Sequence, residues 1–140
     1  MDAGAILLPV FIVAALTVVM LVLMVSTRVP VMMAAGIGAQ EAQRTADLVG
    51  RVPERVQFIV DNYNHLFEQP TVFYAVAISI AVLGHTDAFH VQCAWGFAIC
   101  RILHSIVQVT ANIVMVRFTL FMCGWIAVAI MAVREILALA

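Results

Sequence analysis

The chain contains no lysine, and charged residues of all kinds make up only 11% of its 140 residues. Soluble domains are usually about half apolar and a quarter charged, whereas this sequence is 65% hydrophobic. Its net charge of −1 gives no indication of nucleic-acid binding. We therefore expect a single-domain, integral, multi-pass membrane protein over residues 1–140, with no nucleic-acid partner.

Cysteine is also scarce. Cys93, Cys100 and Cys123 all lie in apolar segments. Their odd number and scattered spacing argue against a disulfide framework and against a metal site. We interpret them as small buried hydrophobic residues, and we expect no metal centre.

The N-terminal apolar run lacks the positively charged segment that begins a secretory signal peptide. Only Met1 and Asp2 precede the run from Ala3 to Val25. At about 1.5 Å of rise per residue the run is long enough to cross a bilayer. We therefore predict a retained membrane span.

Four apolar segments predict an all-α, four-helix transmembrane bundle, with spans at about 4–26, 64–84, 88–111 and 115–137. Pro53 suits a helix start, and Pro70 predicts a kink in the second span. Arginines cluster in the first loop and at the third connection, which places both on the cytoplasmic side and both termini on the other side.

A polar stripe runs along the third predicted span. On a helix turning about 100° per residue, Arg101, His104, Ser105, Gln108 and Asn112 share about a third of the circumference. Lipid cannot satisfy such side chains. The stripe therefore predicts a helix face that contacts protein, water or a ligand.

Glu68 in the second span and Arg101 in the third lie at similar distances from the turn at Gly84–Asp87, which predicts an ion pair between them. The same reasoning places Asn64 level with Ser105 and Gln108. A register-fixing pair explains part of this pattern, but a cytoplasm-facing polar cleft explains more of it. His104 also fits a hydrogen-bonded core histidine, and Arg117 fits a topology anchor.

Several segments resemble the MAPEG superfamily, the membrane-associated proteins in eicosanoid and glutathione metabolism, and its bacterial branch in particular. The matching segments are Asn64-His-Leu-Phe-Glu-Gln-Pro-Thr-Val-Phe-Tyr74, Arg101-Ile-Leu-His-Ser105, Asn112 and Arg117-Phe118. The resemblance implies a homotrimer of four-helix protomers in a membrane, here the bacterial inner membrane, with glutathione bound between subunits on the cytosolic side. The residues it implies for binding are Arg28, Asn64, Glu68, Arg101 and His104, with Gln108 and Asn112 on the same stripe and Arg117 as the catalytic residue.

Two positions differ from the catalytic members. Gln108 stands where they often carry tyrosine, and Glu68 follows Asn64 by four residues instead of three. One hypothesis is a glutathione-dependent transferase or peroxidase that acts on lipophilic electrophiles delivered from membrane lipid. A second is a non-catalytic protein that binds lipid or a small anion in the same cleft. A channel or proton pathway is a third.

Overall fold

The computed structural model describes residues 2–140, except for the side chains of residues 39, 45 and 47. The described chain is all-helical and has five α-helices. They are α1 (Ala3–Ala34), α2 (Glu54–His65), α3 (Gln69–Leu83), α4 (Ala88–Val109) and α5 (Val114–Leu139). Two short 3-10 helices, Ala39–Ala42 and Thr45–Leu48, lie between α1 and α2.

Helix α1 extends well beyond the predicted end of the first span at residue 26. It passes through Pro30 and ends at Ala34. The end is set by Gly36, whose positive φ of 66° suits a residue without a side chain. The Ile37 amide then donates to the Met32 carbonyl at 3.0 Å, which closes the helix in a Schellman-type turn.

Helices α2 and α3 form one rod with a break at Leu66–Glu68, just before Pro70. In the break, the Leu66 and Phe67 amides donate to carbonyls three residues earlier. Pro70 has no amide hydrogen to donate to the Leu66 carbonyl, and it lies in the first turn of α3, where proline is tolerated. The predicted irregularity at Pro70 is therefore present, and α2 begins directly after Pro53 as expected.

The two remaining connections are short. Gly84 ends α3 with a φ of 73°, and the Asp87 side chain caps α4 by accepting from the His90 amide at 2.7 Å. The connection from α4 to α5 spans residues 110–113, slightly earlier than predicted. Asn112 adopts a left-handed φ of 49°, a conformation that asparagine tolerates better than most residues.

The core is formed by α1, α3, α4 and α5. Phe73 of α3 stacks on Phe97 of α4, with ring centroids 4.1 Å apart. The other fully or nearly buried members are small or branched: Ile6, Val10, Val13, Ala77, Ile80, Ala94, Ala98, Val128 and Met131. Helix α5 packs mainly along α4, which brings the start of α5 beside the end of the polar stripe.

Three helical segments are long and apolar enough to cross a membrane: Ala3–Ala34, Glu54–Leu83 and Val114–Leu139. The chain is thus a membrane protein by length and composition. Helix α4 has 22 residues and is also long enough to span, but it carries most of the polar stripe. Polar residues in such a helix have to be covered by protein.

Candidate functional site

The polar stripe of α4 faces the interior, as its spacing predicts. Arg101, His104, Ser105 and Gln108 are 1–5% exposed. Asn112 lies beyond the end of the helix and is half-buried. The stripe therefore runs from the protein interior to the α4–α5 connection.

A polar cavity of about 320 Å³ opens at this end of the molecule. Helix α2 contributes Phe58, Asp61, Asn64 and His65, the α2–α3 break contributes Glu68, and the facing wall consists of Gln108, Asn112 and Arg117. Five of the residues predicted from the sequence therefore meet in one place: Asn64, Glu68, Gln108, Asn112 and Arg117.

A second cavity, of about 220 Å³, adjoins the first. Its walls are His65, His104, Val114, Arg117, Phe118 and Phe121. Most of this lining is apolar, in contrast to the acidic and amide groups of the first cavity. His65 and Arg117 line both cavities and mark where they meet.

Arg117, in the first turn of α5, is oriented by Asn112. Its Nη1 donates to the Asn112 Oδ1, and the left-handed backbone of Asn112 is fixed by a 2.7 Å bond from its amide to the Val107 carbonyl. The Arg117 Nε is buried and has no partner among the described residues. The guanidinium is therefore positioned while part of its donor capacity is unused.

His104 joins α4 to α5. Its Nδ1 lies 3.1 Å from the Arg117 carbonyl. A carbonyl oxygen can only accept, so Nδ1 carries the proton. The Nε2 lies 3.1 Å from Gln108 Oε1. With Nδ1 protonated, Nε2 can only accept, so this hydrogen bond forms with the Gln108 amide turned to place its NH2 group there. His104 is thus a hydrogen-bonded core histidine, bonded through both ring nitrogens, and it is also a site residue, because it lines the apolar cavity.

His65 ends α2 and contacts Glu68 across the break, with 3.0 Å between Nδ1 and the carboxylate Oε2. Its ring lies edge-on to His104, with centroids 6.4 Å apart. The sequence analysis did not assign His65 to the site. The spacing Phe58, Asp61, His65 and Glu68 places these residues on one helix face, which was the available signal.

The predicted ion pair between Glu68 and Arg101 is absent within the described protomer, and this prediction is corrected. Glu68 bonds His65 and its side chain is 62% exposed. Arg101 is 2% exposed, and among the described side chains it has no carboxylate within 4 Å and no hydrogen-bond partner for Nε or Nη2. Counting residues from the Gly84 turn predicts the depth of Glu68 along the helix but not the direction of its side chain, which contacts His65 instead.

Arg101 and Arg28 line neither cavity. Arg101 lies deeper along α4, and Arg28 lies on α1 and is half-buried. Of the sequence-predicted residues, these two are the ones that the protomer does not bring into the clefts. In the described part of the chain, no group of three or more histidine, cysteine, aspartate or glutamate side chains is placed to hold a metal ion.

The fold and the clefts together define a multi-pass α-helical membrane protein with a polar site at one end of its helices. The family model of the MAPEG family matches residues 6–137, so the chain belongs to that family, whose members are membrane glutathione transferases or related enzymes. Comparisons with curated proteins and with solved structures found no match.

Proposed function

We propose that this protein is a glutathione-dependent transferase or peroxidase that acts on lipophilic electrophiles. The observation that carries the proposal is the meeting of a polar and an apolar cavity at Arg117. A transferase of this class needs a polar site for the thiol tripeptide and an apolar site for the second substrate, with the sulfur between them.

Arg117 is the residue we propose to stabilise the thiolate. A thiol attacks as its thiolate, and a neighbouring cation favours that form. A guanidinium remains charged at any working pH. The unpartnered Nε of Arg117 provides a donor for the sulfur while Asn112 holds the other side of the group.

The polar cavity complements the rest of glutathione. Its ammonium group fits beside the carboxylates of Asp61 and Glu68, and its amides fit beside Asn64 and Gln108. Its two carboxylates need more positive charge than Arg117 alone supplies. We propose that Arg28 of a neighbouring subunit supplies it in a homotrimer, since Arg28 lies outside the clefts of its own protomer.

The proposed membrane placement follows from the arginine distribution. The clefts lie at the end that carries the first loop and the 110–113 connection, which the positive-inside rule places in the cytoplasm. Soluble glutathione then reaches the polar cavity, and both termini lie on the opposite side. We propose helix α4 as the fourth span. The exposed side chains of α1 and α5 then contact lipid. The resemblance to the bacterial branch of the family implies that the membrane is a bacterial inner membrane.

Glutathione binding to the purified protein in detergent tests the proposal. We expect saturable binding at millimolar thiol or below, and conjugation or peroxide reduction with an apolar second substrate. Because Gln108 cannot replace a phenol as a proton donor, we expect turnover to be slower than in tyrosine-bearing relatives. No binding at millimolar thiol would instead support a protein that binds lipid or a small anion in this cleft.

A further inference from the structure

We propose that His65, oriented by Glu68, transfers the thiol proton and thereby favours conjugate addition to α,β-unsaturated carbonyl compounds. The inference rests on the proposed glutathione-dependent function and specifies its substrate class. It starts from the position of one imidazole at the junction of the two cavities.

The contact with Glu68 determines which ring nitrogen of His65 carries a proton. A carboxylate only accepts hydrogen bonds, so the Nδ1 that lies 3.0 Å from Glu68 Oε2 is the protonated nitrogen. No hydrogen bond to Nε2 is present in the described structure. The Nε2 lone pair is thus free to accept a proton, and the 39% exposed side chain is accessible from the clefts.

The charged and titratable groups around His65 come from three elements. Glu68 and Asp61 line the polar cavity from its own side, His104 faces the ring from α4, and Arg117 faces it from α5. His104 already bonds the Arg117 carbonyl and the Gln108 amide. His65 is therefore the histidine of this pair with an uncommitted nitrogen.

The proposed reaction needs no further reactant. His65 Nε2 removes the thiol proton, and Arg117 stabilises the thiolate. The sulfur forms a bond to the β-carbon while the electron pair of the carbon–carbon double bond moves toward the carbonyl as an enolate. The His65 imidazolium then returns the same proton to the α-carbon, and Glu68 stabilises the imidazolium in between.

The product of an addition retains the thiol proton, so a base that keeps the proton close accelerates both bond formation and the final protonation. In a displacement of chloride from an aromatic ring, the leaving group departs without a proton. We therefore expect replacement of His65 to slow additions far more than displacements. Gln108, where a phenol would otherwise stand, leaves the proton transfer to another residue.

The test compares two electrophiles, the enone 4-phenyl-3-buten-2-one and the aryl chloride 1-chloro-2,4-dinitrobenzene, with the intact detergent-purified protein. We expect His65→Gln to lower kcat for the enone about 100-fold and for the aryl chloride by less than about tenfold. Glutathione binding should persist, because Arg117 and the other residues of the polar cavity are unchanged.

The matched control is His85→Gln. His85 is also 39% exposed and also bonds a glutamate, Glu135, through Nδ1 at 2.8 Å, but it lies at the opposite end of the helices. The His85→Gln substitution should leave the rates with both electrophiles unchanged. Equal losses with both electrophiles in His65→Gln, or no loss with either, would overturn the assignment while leaving the proposed function intact. A wild-type protein that neither binds glutathione nor converts either electrophile would overturn both.

Discussion

At the scale of single residues, Arg101 is the clearest departure from what the sequence suggests. It was expected to pair with Glu68, yet it is buried with two unpartnered nitrogen atoms. The hydroxyl of Ser105, one turn further along, is also buried without a partner. Desolvated donors without partners lower stability, so Arg101 is expected to destabilise the folded protomer.

Replacing Arg101 by methionine should therefore keep or raise stability. Exchanging a buried charge for an apolar side chain of similar length is often neutral or stabilising by about 1–4 kcal/mol. The measurement is thermal unfolding in detergent, with Leu103→Met, at an exposed position of the same helix, as the control. A loss of several kcal/mol in Arg101→Met, relieved by adding Glu68→Gln, would show that an ion pair forms in the assembled protein after all.

At the scale of the helices, the ends of the elements position the site. Asn112 ends α4 and orients Arg117, and the break at Leu66–Glu68 places His65 beside Glu68. The opposite end of α4 is held by Asp87, which accepts from the His90 amide and pairs with Arg134 at 2.7 Å. These contacts are local, and each can be tested separately.

Asp87 provides a pH-dependent contribution to stability. Its bond from the His90 amide, and then its contact with Arg134, hold the pKa of its carboxyl at about 2, below the ordinary 3.8. Because the folded-state pKa is depressed, this stabilisation is present above about pH 4 and disappears as the pH falls toward the folded pKa.

We expect Asp87→Asn to lower stability by about 0.5–1 kcal/mol at neutral pH, a value reduced for the exposure of the ion pair. Thermal unfolding from about pH 7 to pH 2 measures it. The wild type and the variant should converge at the acid end. A difference that stays constant or grows as the pH falls would show that Asp87 acts without its charge.

Helices α3, α4 and α5 and the inward polar face of α4 were predictable, because apolar runs, Gly84 and the Asp87 cap are local signals. The end of α1 was not, since the first span was predicted to end near residue 26, whereas the helix continues through Pro30 and ends before Gly36. The contact between His65 and Glu68 depends on the backbone of Glu68, with φ −96° and ψ −93°. Sequence periodicity places His65 and Glu68 on one helix face, but it does not give this backbone geometry or the contact that follows from it.

At the scale of the whole molecule, we propose that the site is shared between subunits. Arg28 lines neither cavity of its own protomer, whereas Arg117 lines both. In a cyclic trimer, one surface meets a different surface of the neighbour. A site that combines Arg28 from one subunit with Arg117 from the next follows from that arrangement.

Mixed trimers test the shared site. Arg28→Leu and Arg117→Leu proteins should each be inactive, but co-expression should restore activity at roughly a quarter of the sites by random assortment. The readout is glutathione conjugation by the co-purified mixture, with trimer mass checked in mild detergent. Mixtures that stay inactive although mixed trimers form would place both arginines outside a common intersubunit site.

The central claim is that Arg117 stabilises a bound thiolate, and the ultraviolet thiolate absorbance on adding glutathione measures this most directly. The wild type should give a saturable signal, Arg117→Lys a reduced one, and Arg117→Leu a far weaker one, with fold and trimer mass unchanged, since the guanidinium is the permanent positive charge beside the sulfur. A wild-type signal in Arg117→Leu would contradict the account and leave Arg117 as a cytoplasmic anchor of α5.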